Sequence, residues 1–195
     1  MAYEIRRLAP GLWPDLEALF GPRGATAGCW CQWVMLRKGE TFDEVKGETA
    51  HRRLEAQVRG GERRGLLAYA DGGPVGWLAY GPRRGFPRID RAPSLAAADA
   101  DLVWSVGCFF TRAGWRGKGV AGALLDGALS AIAADGGRTV EGYPVRLAAG
   151  ERQAAAFVWT GTTTLFEQHG FVQVDQRIKG KVRMRRHVGA DHSTA

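Results

Sequence analysis

The chain has 195 residues, enough for one domain with its own core and no need of disulfide or metal staples. Hydrophobic residues make up 45% and charged residues 24%, a globular balance that argues against wholesale disorder. The net charge of +7, from 27 Lys and Arg against 20 Asp and Glu, fits either a basic solvated surface or an anionic partner: a phosphorylated cofactor, nucleic acid or an acidic surface. No apolar run approaches the roughly 20 residues that span a bilayer, and the charged, proline-interrupted start does not read as a secretory signal. Cysteines at 29, 31 and 108 are odd in number and fit no disulfide framework. The expected location is cytoplasmic, with no membrane attachment.

Residues 3–8 predict a first strand, broken by Pro10 and Gly11. Leu12, Leu16, Leu19 and Phe20 recur at helical spacing, and Gly21 with Pro22 ends that helix. Residues 23–40 are irregular and hold Gly28-Cys29-Trp30-Cys31-Gln32-Trp33. Thr41 and Glu44 have capping-box spacing and open a second helix that runs to the glycines at 60 and 61. Gly47 weakens its interior. Residues 66–70 and 75–80 flank Asp71-Gly72-Gly73-Pro74 as a β-hairpin. Residues 81–99, with several prolines and an alanine run, read as a long surface loop.

Residues 102–111 predict a strongly apolar strand. A glycine-rich turn follows over 112–119, then a helix over 120–135. Val120, Leu124, Ala128 and Ile132 make one stripe of that helix, and Ala121, Leu125, Leu129 and Ala133 the next, giving one broad buried face. Residues 139–145 predict another strand, 162–169 a short helix capped by Gly170, and 171–175 a strand. A last strand is expected over 177–186, with Arg177, Lys179, Lys181, Arg183 and Arg185 on one face. The domain spans 1–188, and 189–195 reads as a loose tail.

The unit of strand, turn and helix over 102–135 carries the chemistry. A glycine-rich turn at a helix start offers unpaired N–H groups and the positive end of the helix dipole to an anion. Gly117 and Gly119 let backbone approach a phosphate, and Arg116 and Lys118 add charge. The spacing is neither a Walker A loop nor a dinucleotide fingerprint.

Arg116-Gly117-Lys118-Gly119-Val120-Ala121 resembles the Arg/Gln-x-x-Gly-x-Gly/Ala signature of the GCN5-related N-acetyltransferase (GNAT) superfamily. Leu165-Phe166-Glu167-Gln168-His169-Gly170-Phe171 is similar to that family's late helix, and the order of elements over 3–186 fits its sheet. Cys29-Trp30-Cys31-Gln32-Trp33 and Thr139-Val140-Glu141-Gly142-Tyr143-Pro144-Val145 resemble a bacterial subgroup of unassigned substrate.

The resemblance implies an α/β (α+β) fold: one mixed, centrally splayed sheet flanked by helices, with acetyl-CoA as cosubstrate. Arg116, Gly117, Lys118, Gly119, Val120 and Ala121 would hold its pyrophosphate. Phe109, Phe110 and Thr111 would pair with its pantetheine arm and acetyl carbonyl, in the gap between strands 102–111 and 139–145.

The implied reaction is direct acetyl transfer to a primary amine, with a small molecule as the favoured acceptor. The amine must lose a proton, since a free alkylamine has a pKa of about 10. Glu141, on the strand flanking the acetyl group, is the candidate general base. The family's late-helix Tyr is replaced here by Phe166, and Tyr143, of the same strand parity as Glu141, is the candidate substitute acid. Trp30, Trp33 and Trp104 are candidates for the acceptor wall, with Phe42 and Phe86 beside them. The cationic face of 177–185 suits CoA phosphate, RNA or an acidic acceptor, or a protected sheet edge.

Metal is not expected, because Cys29-x-Cys31 lacks a second ligand pair. Cys108 reads as a small core thiol. The alternatives are a protein or aminoacyl-tRNA acetyltransferase and a non-catalytic CoA-binding sensor. Nucleic-acid binding rests on charge alone and is not expected. A homodimer is left open.

Overall fold

A computed structural model describes residues 2–147, 158–178 and 181–189, and leaves the side chains of 175–178 and 181 outside the description. The elements in chain order are β1 (Glu4–Arg7), α1 (Trp13–Phe20), α2 (Phe42–Val45), α3 (Glu48–Arg59), β2 (Gly65–Ala70), β3 (Gly73–Pro82) and α4 (Pro87–Asp90). There follow β4 (Val103–Thr111), α5 (Val120–Ala134), β5 (Thr139–Gly142), α6 (Thr163–Gln168), β6 (Val172–Ile178) and β7 (Lys181–His187). One mixed sheet runs in the order β1-β2-β3-β4-β5-β7-β6. Among the described strands only the β4–β5 pair is parallel.

The two apolar stripes of α5 explain where it lies. Val120, Leu124, Leu125, Ala128, Leu129 and Ile132 are buried against Leu66, Leu78, Val106 and Val140 on one face of the sheet. Each buried leucine contributes roughly 1.5–3 kcal/mol. The opposite face is covered by α1 and α3, whose Trp13, Leu16, Phe20 and Leu54 pack with Leu67, Trp77 and Cys108. Among the described residues no helix is long and apolar enough to cross a membrane.

The capping box predicted at Thr41 is present, with the Thr41 side chain on the Glu44 N–H and the Glu44 carboxylate on the Thr41 N–H. The helix it opens is only one turn. The chain breaks at Gly47, at a φ of 78°, and restarts as α3. The single expected helix is therefore two.

β4 and β5 pair at only three positions: Val103 with Thr139, Trp104 with Val140 and Ser105 with Glu141. Beyond them the strands part. The segment that precedes α6 fills the wedge: the Phe109 N–H donates to the Trp159 carbonyl at 2.7 Å, and Val145 forms a parallel bridge to Thr162.

Two sequence expectations are corrected. Residues 81–99, expected as a long surface loop, are in part packed into the core. Arg83, Phe86 and Ile89 are buried, and Phe86 lies so close to Gly107 that a Cβ there would stand 2.8 Å from its ring. The segment is held by ion pairs of Arg83 with Glu141 and of Asp99 with Arg185. The strand expected over 177–186 falls on two antiparallel strands, its first residues in β6 and the rest in β7, because an alternating cation pattern carries no mark of where one strand ends and the next begins. β7 is an interior strand between β5 and β6, so its Arg183 and Arg185 turn toward Glu141 rather than guard an edge. The side chains of Arg177 and Lys181, all of Lys179, and residues 190–195 of the tail lie outside the described residues.

Candidate active site

The turn before α5 is built by Gly117 and Gly119, at φ of 73° and 85°. Those left-handed conformations suit glycine and bring the backbone round to start the helix. The first intrahelical bond runs from the Ala123 N–H to the Gly119 carbonyl at 3.1 Å. The N–H groups of Val120, Ala121 and Gly122 precede it and belong to the unpaired first turn of a 15-residue helix. An anion set there meets N–H donors and the helix dipole.

A cavity of about 690 Å³ opens on this turn. Of the predicted cofactor residues, Phe109, Phe110, Thr111, Arg116, Gly117, Gly119, Val120 and Ala121 line it. Lys118 does not: its carbonyl accepts the Tyr3 hydroxyl at 2.6 Å and its ammonium sits 5.0 Å from the Trp115 ring centroid. The far wall is Val158, Trp159, Gly161, Thr162 and Leu165. The exposed glycine cradle at one end and the parted edge of β4 at the other fit a long ligand that carries phosphate at one end.

A second cavity, of about 230 Å³, lies beside the first and is lined by Trp33, Arg88, Leu95, Gly107, Tyr143, Trp159, Thr160 and Arg183, among others. Trp159 lines both cavities. Arg88 lies over the Trp33 ring, 4.0 Å from its centroid, and burial lowers its pKa. Among the described residues, no Asp or Glu side chain lines this cavity.

Tyr143 reaches this cavity, and its hydroxyl is 2.8 Å from the buried Ser105 Oγ. Burial first, and then the charge of Glu141, push the Tyr143 hydroxyl well above its ordinary value. The phenol therefore holds its proton.

Glu141 is placed differently from the expectation. It is fully buried and lines neither of these cavities. Arg83 Nη1 is 3.3 Å from Oε1, Arg185 Nε is 2.7 Å from Oε2, and Arg183 Nε is 3.8 Å from Oε2. Three arginine side chains thus surround the Glu141 carboxylate.

Of the three tryptophans expected at the acceptor wall, only Trp33 lines the second cavity. Trp30 packs with Trp13, Phe20 and His51 beneath α1. Trp104 stacks on Tyr80 and under Arg64 at the opposite end of β4. Strand parity separates it, because it faces the α5 side of the sheet. Phe166 is fully buried, and its ring fills the space at Gly142, where a Cβ would stand 2.1 Å away.

Trp159, Arg83 and Arg88 join the site only through the fold. The arginines carry no signal in sequence, because a charged residue in a proline-bearing segment looks solvated until its partner is known.

A splayed mixed sheet, a glycine-turned cradle at the start of α5 and a cavity joining that cradle to the parted strand define a CoA-binding acetyltransferase fold. A sequence profile of the acetyltransferase (GNAT) family matches residues 30–146. The chain belongs to that family. No curated protein matches it by sequence. Among solved structures, it is similar to the PaiA N-acetyltransferase of Thermoplasma acidophilum in complex with coenzyme A, with 16% identity over 96% of this chain and 99% of that one and a TM-score of 0.57. The GNAT domain of S. lividans PAT aligns at 20% identity over 95% of this chain and 90% of that one, with a TM-score of 0.57. A ribosomal-protein-alanine N-acetyltransferase from Brucella melitensis aligns at 19% identity over 95% and 99%, with a TM-score of 0.52. Identities this low speak to the fold alone.

Proposed function

We propose that the protein transfers the acetyl group of acetyl-CoA directly to the primary amine of a small molecule that also carries an acidic group. The observation that carries this reading is the pair of adjoining cavities with Trp159 in the wall of each. The thioester supplies the activated acetyl group. The larger cavity suits the cofactor, with the first-turn N–H groups of α5 on its pyrophosphate and the parted edge of β4 along its arm. The smaller cavity suits the acceptor.

Among the described residues, Arg88 and Arg183 line the acceptor cavity and no carboxylate does, which favours an anionic group on the acceptor. The same positive surroundings disfavour an ammonium, so they lower the pKa of the bound amine. The amine can then give up its proton to solvent without a dedicated carboxylate base. Tyr143 holds a proton at its hydroxyl, available to the departing sulfur. Glu141 is a positioning residue: it fixes Arg83 and Arg185, and its charge helps to keep Tyr143 protonated. Trp33 and Trp159 exclude water.

A second reading, a CoA sensor without catalysis, draws support from Phe166 and from the Phe109 N–H, which already has a protein acceptor. Thiol release from acetyl-CoA over a panel of amines, each offered with and without a carboxylate or phosphate group, separates the two. The expected result is turnover confined to acidic amines. Thermal stabilisation by CoA without thiol release from any amine would overturn the transferase reading and leave the sensor.

A further inference from the structure

Cys31 and Cys108 are 77 residues apart in sequence, yet their Sγ atoms lie 2.9 Å apart in the core beneath α1 and α3. The Trp77 Nε1–H donates to Cys31 Sγ at 2.9 Å. A disulfide needs about 2.05 Å between sulfurs, so less than about 1 Å of closure separates this pair from a bond.

A second observation points to the same two atoms. Arg63 is buried beside them, with Nη2 on the Cys31 carbonyl at 3.3 Å and Nη1 on Met35 Sδ at 2.8 Å. Its Nε has no partner, and no carboxylate pairs with it among the described residues. A buried guanidinium is costly unless an anion accompanies it. The neighbours able to carry that negative charge are the two thiols. Burial pushes the Cys31 thiol up, but the Cys108 S–H, the Arg63 charge and the Trp77 N–H outweigh it and hold Cys31 below its ordinary value. The Cys108 thiol is pushed well above its ordinary value by its hydrogen bond to Cys31 and by burial. Cys31 is thus the sulfur of the pair that more readily carries negative charge, and Cys108 the one that keeps its proton. Cys29 stands apart: its Sγ contacts the Gly24 carbonyl, and burial pushes its thiol up to about 11.

We propose that Cys31 and Cys108 are a redox pair that a peroxide closes into an intramolecular disulfide. The Cys31 thiolate attacks one peroxide oxygen. The O–O bond breaks, the leaving hydroxide takes up a proton as water, and Cys31 becomes a sulfenic acid. The Cys108 sulfur then attacks the Cys31 sulfur, the S–O bond breaks, and the hydroxyl leaves as a second water with the Cys108 proton. Two thiols are oxidised to one disulfide while one peroxide is reduced to two waters. The bond would tie the segment leading to Trp33 to the residue before Phe109, and so join the acceptor wall to the cofactor strand. The pairing rests on the core geometry and is independent of the acetyl-transfer reading.

The test treats the folded, reduced full chain with hydrogen peroxide, then denatures it, alkylates the remaining thiols and maps peptides without reduction. The expected map shows a Cys31–Cys108 link, alkylated Cys29, and loss of the link on adding dithiothreitol. Cys29→Ser should form the same link, and Cys108→Ser should form none. Three alkylated cysteines after native treatment, or a link that includes Cys29, would overturn the proposal. The map of the unsubstituted chain decides this even where a cysteine variant fails to fold.

Discussion

The Trp159 carbonyl accepts the Phe109 N–H at 2.7 Å, across the gap where β4 and β5 have parted. One backbone bond thus satisfies a donor that parting would otherwise leave open, and it holds the Trp159 side chain between two cavities. Parting of the strands creates room for a ligand, and the inserted segment decides the shape of that room.

Trp159→Ala should merge the two cavities. The expected outcome is a fall of about tenfold in kcat/KM for the amine, equivalent to about 1.4 kcal/mol. Thioester hydrolysis without an amine should rise as water reaches the acetyl group. Steady-state kinetics with and without acceptor check both. If neither changes, Trp159 does not divide the two ligands.

Gly119→Ala separates backbone strain from ligand contact. A Cβ at 119 meets nothing within 4 Å, so the unliganded fold should lose only the cost of a left-handed non-glycine residue, about 1–2 kcal/mol. Affinity for CoA should fall by roughly tenfold or more, because the methyl group would stand beside the first-turn N–H groups proposed to hold the pyrophosphate. Thermal unfolding and calorimetric titration measure the two effects separately. Unchanged CoA affinity would move the pyrophosphate elsewhere.

Tyr143→Phe should lower kcat by about 10–100-fold while costing about 1–3 kcal/mol in stability, because the buried Ser105 hydroxyl loses its partner. In the unsubstituted protein the raised pKa of Tyr143 sets the direction of the pH profile. A donor whose pKa lies above its ordinary value of about 10 stays protonated throughout the range below 10, so activity should rise with pH as the amine deprotonates and show no alkaline fall before pH 10. A fall in kcat centred near pH 8 would exclude Tyr143 as the proton donor.

Glu141→Gln tests base against positioning residue. Glu141 and Arg83 are both almost fully buried, and removing one partner of such a pair costs about 3–5 kcal/mol. The melting temperature should drop sharply, and residual activity should be reduced by a similar factor at pH 7 and pH 9. A deficit that shrinks as pH rises, with stability intact, would restore Glu141 as the general base.

The sequence by itself determined most of the elements and the glycine turn before α5. The two stripes of α5, the capping box at Thr41, the hairpin at Asp71 and the glycines at 117 and 119 each rest on spacing within a few residues. Local backbone and burial patterns are written at that range. The acceptor side and the charged core were decided only by tertiary structure. Arg83 and Arg185 look like solvent-facing cations in sequence; they meet Glu141 because the 83–99 segment folds back over the sheet and β7 enters beside β5. Trp30, Trp33 and Trp104 are alike in sequence, and strand parity and the fold of the 23–40 segment send them to three places. Cys31 and Cys108 gave no pairing signal, since their contact spans 77 residues. Each of these groups takes its role from a partner distant in the chain, and that partner is fixed by how the sheet is covered rather than by any local pattern.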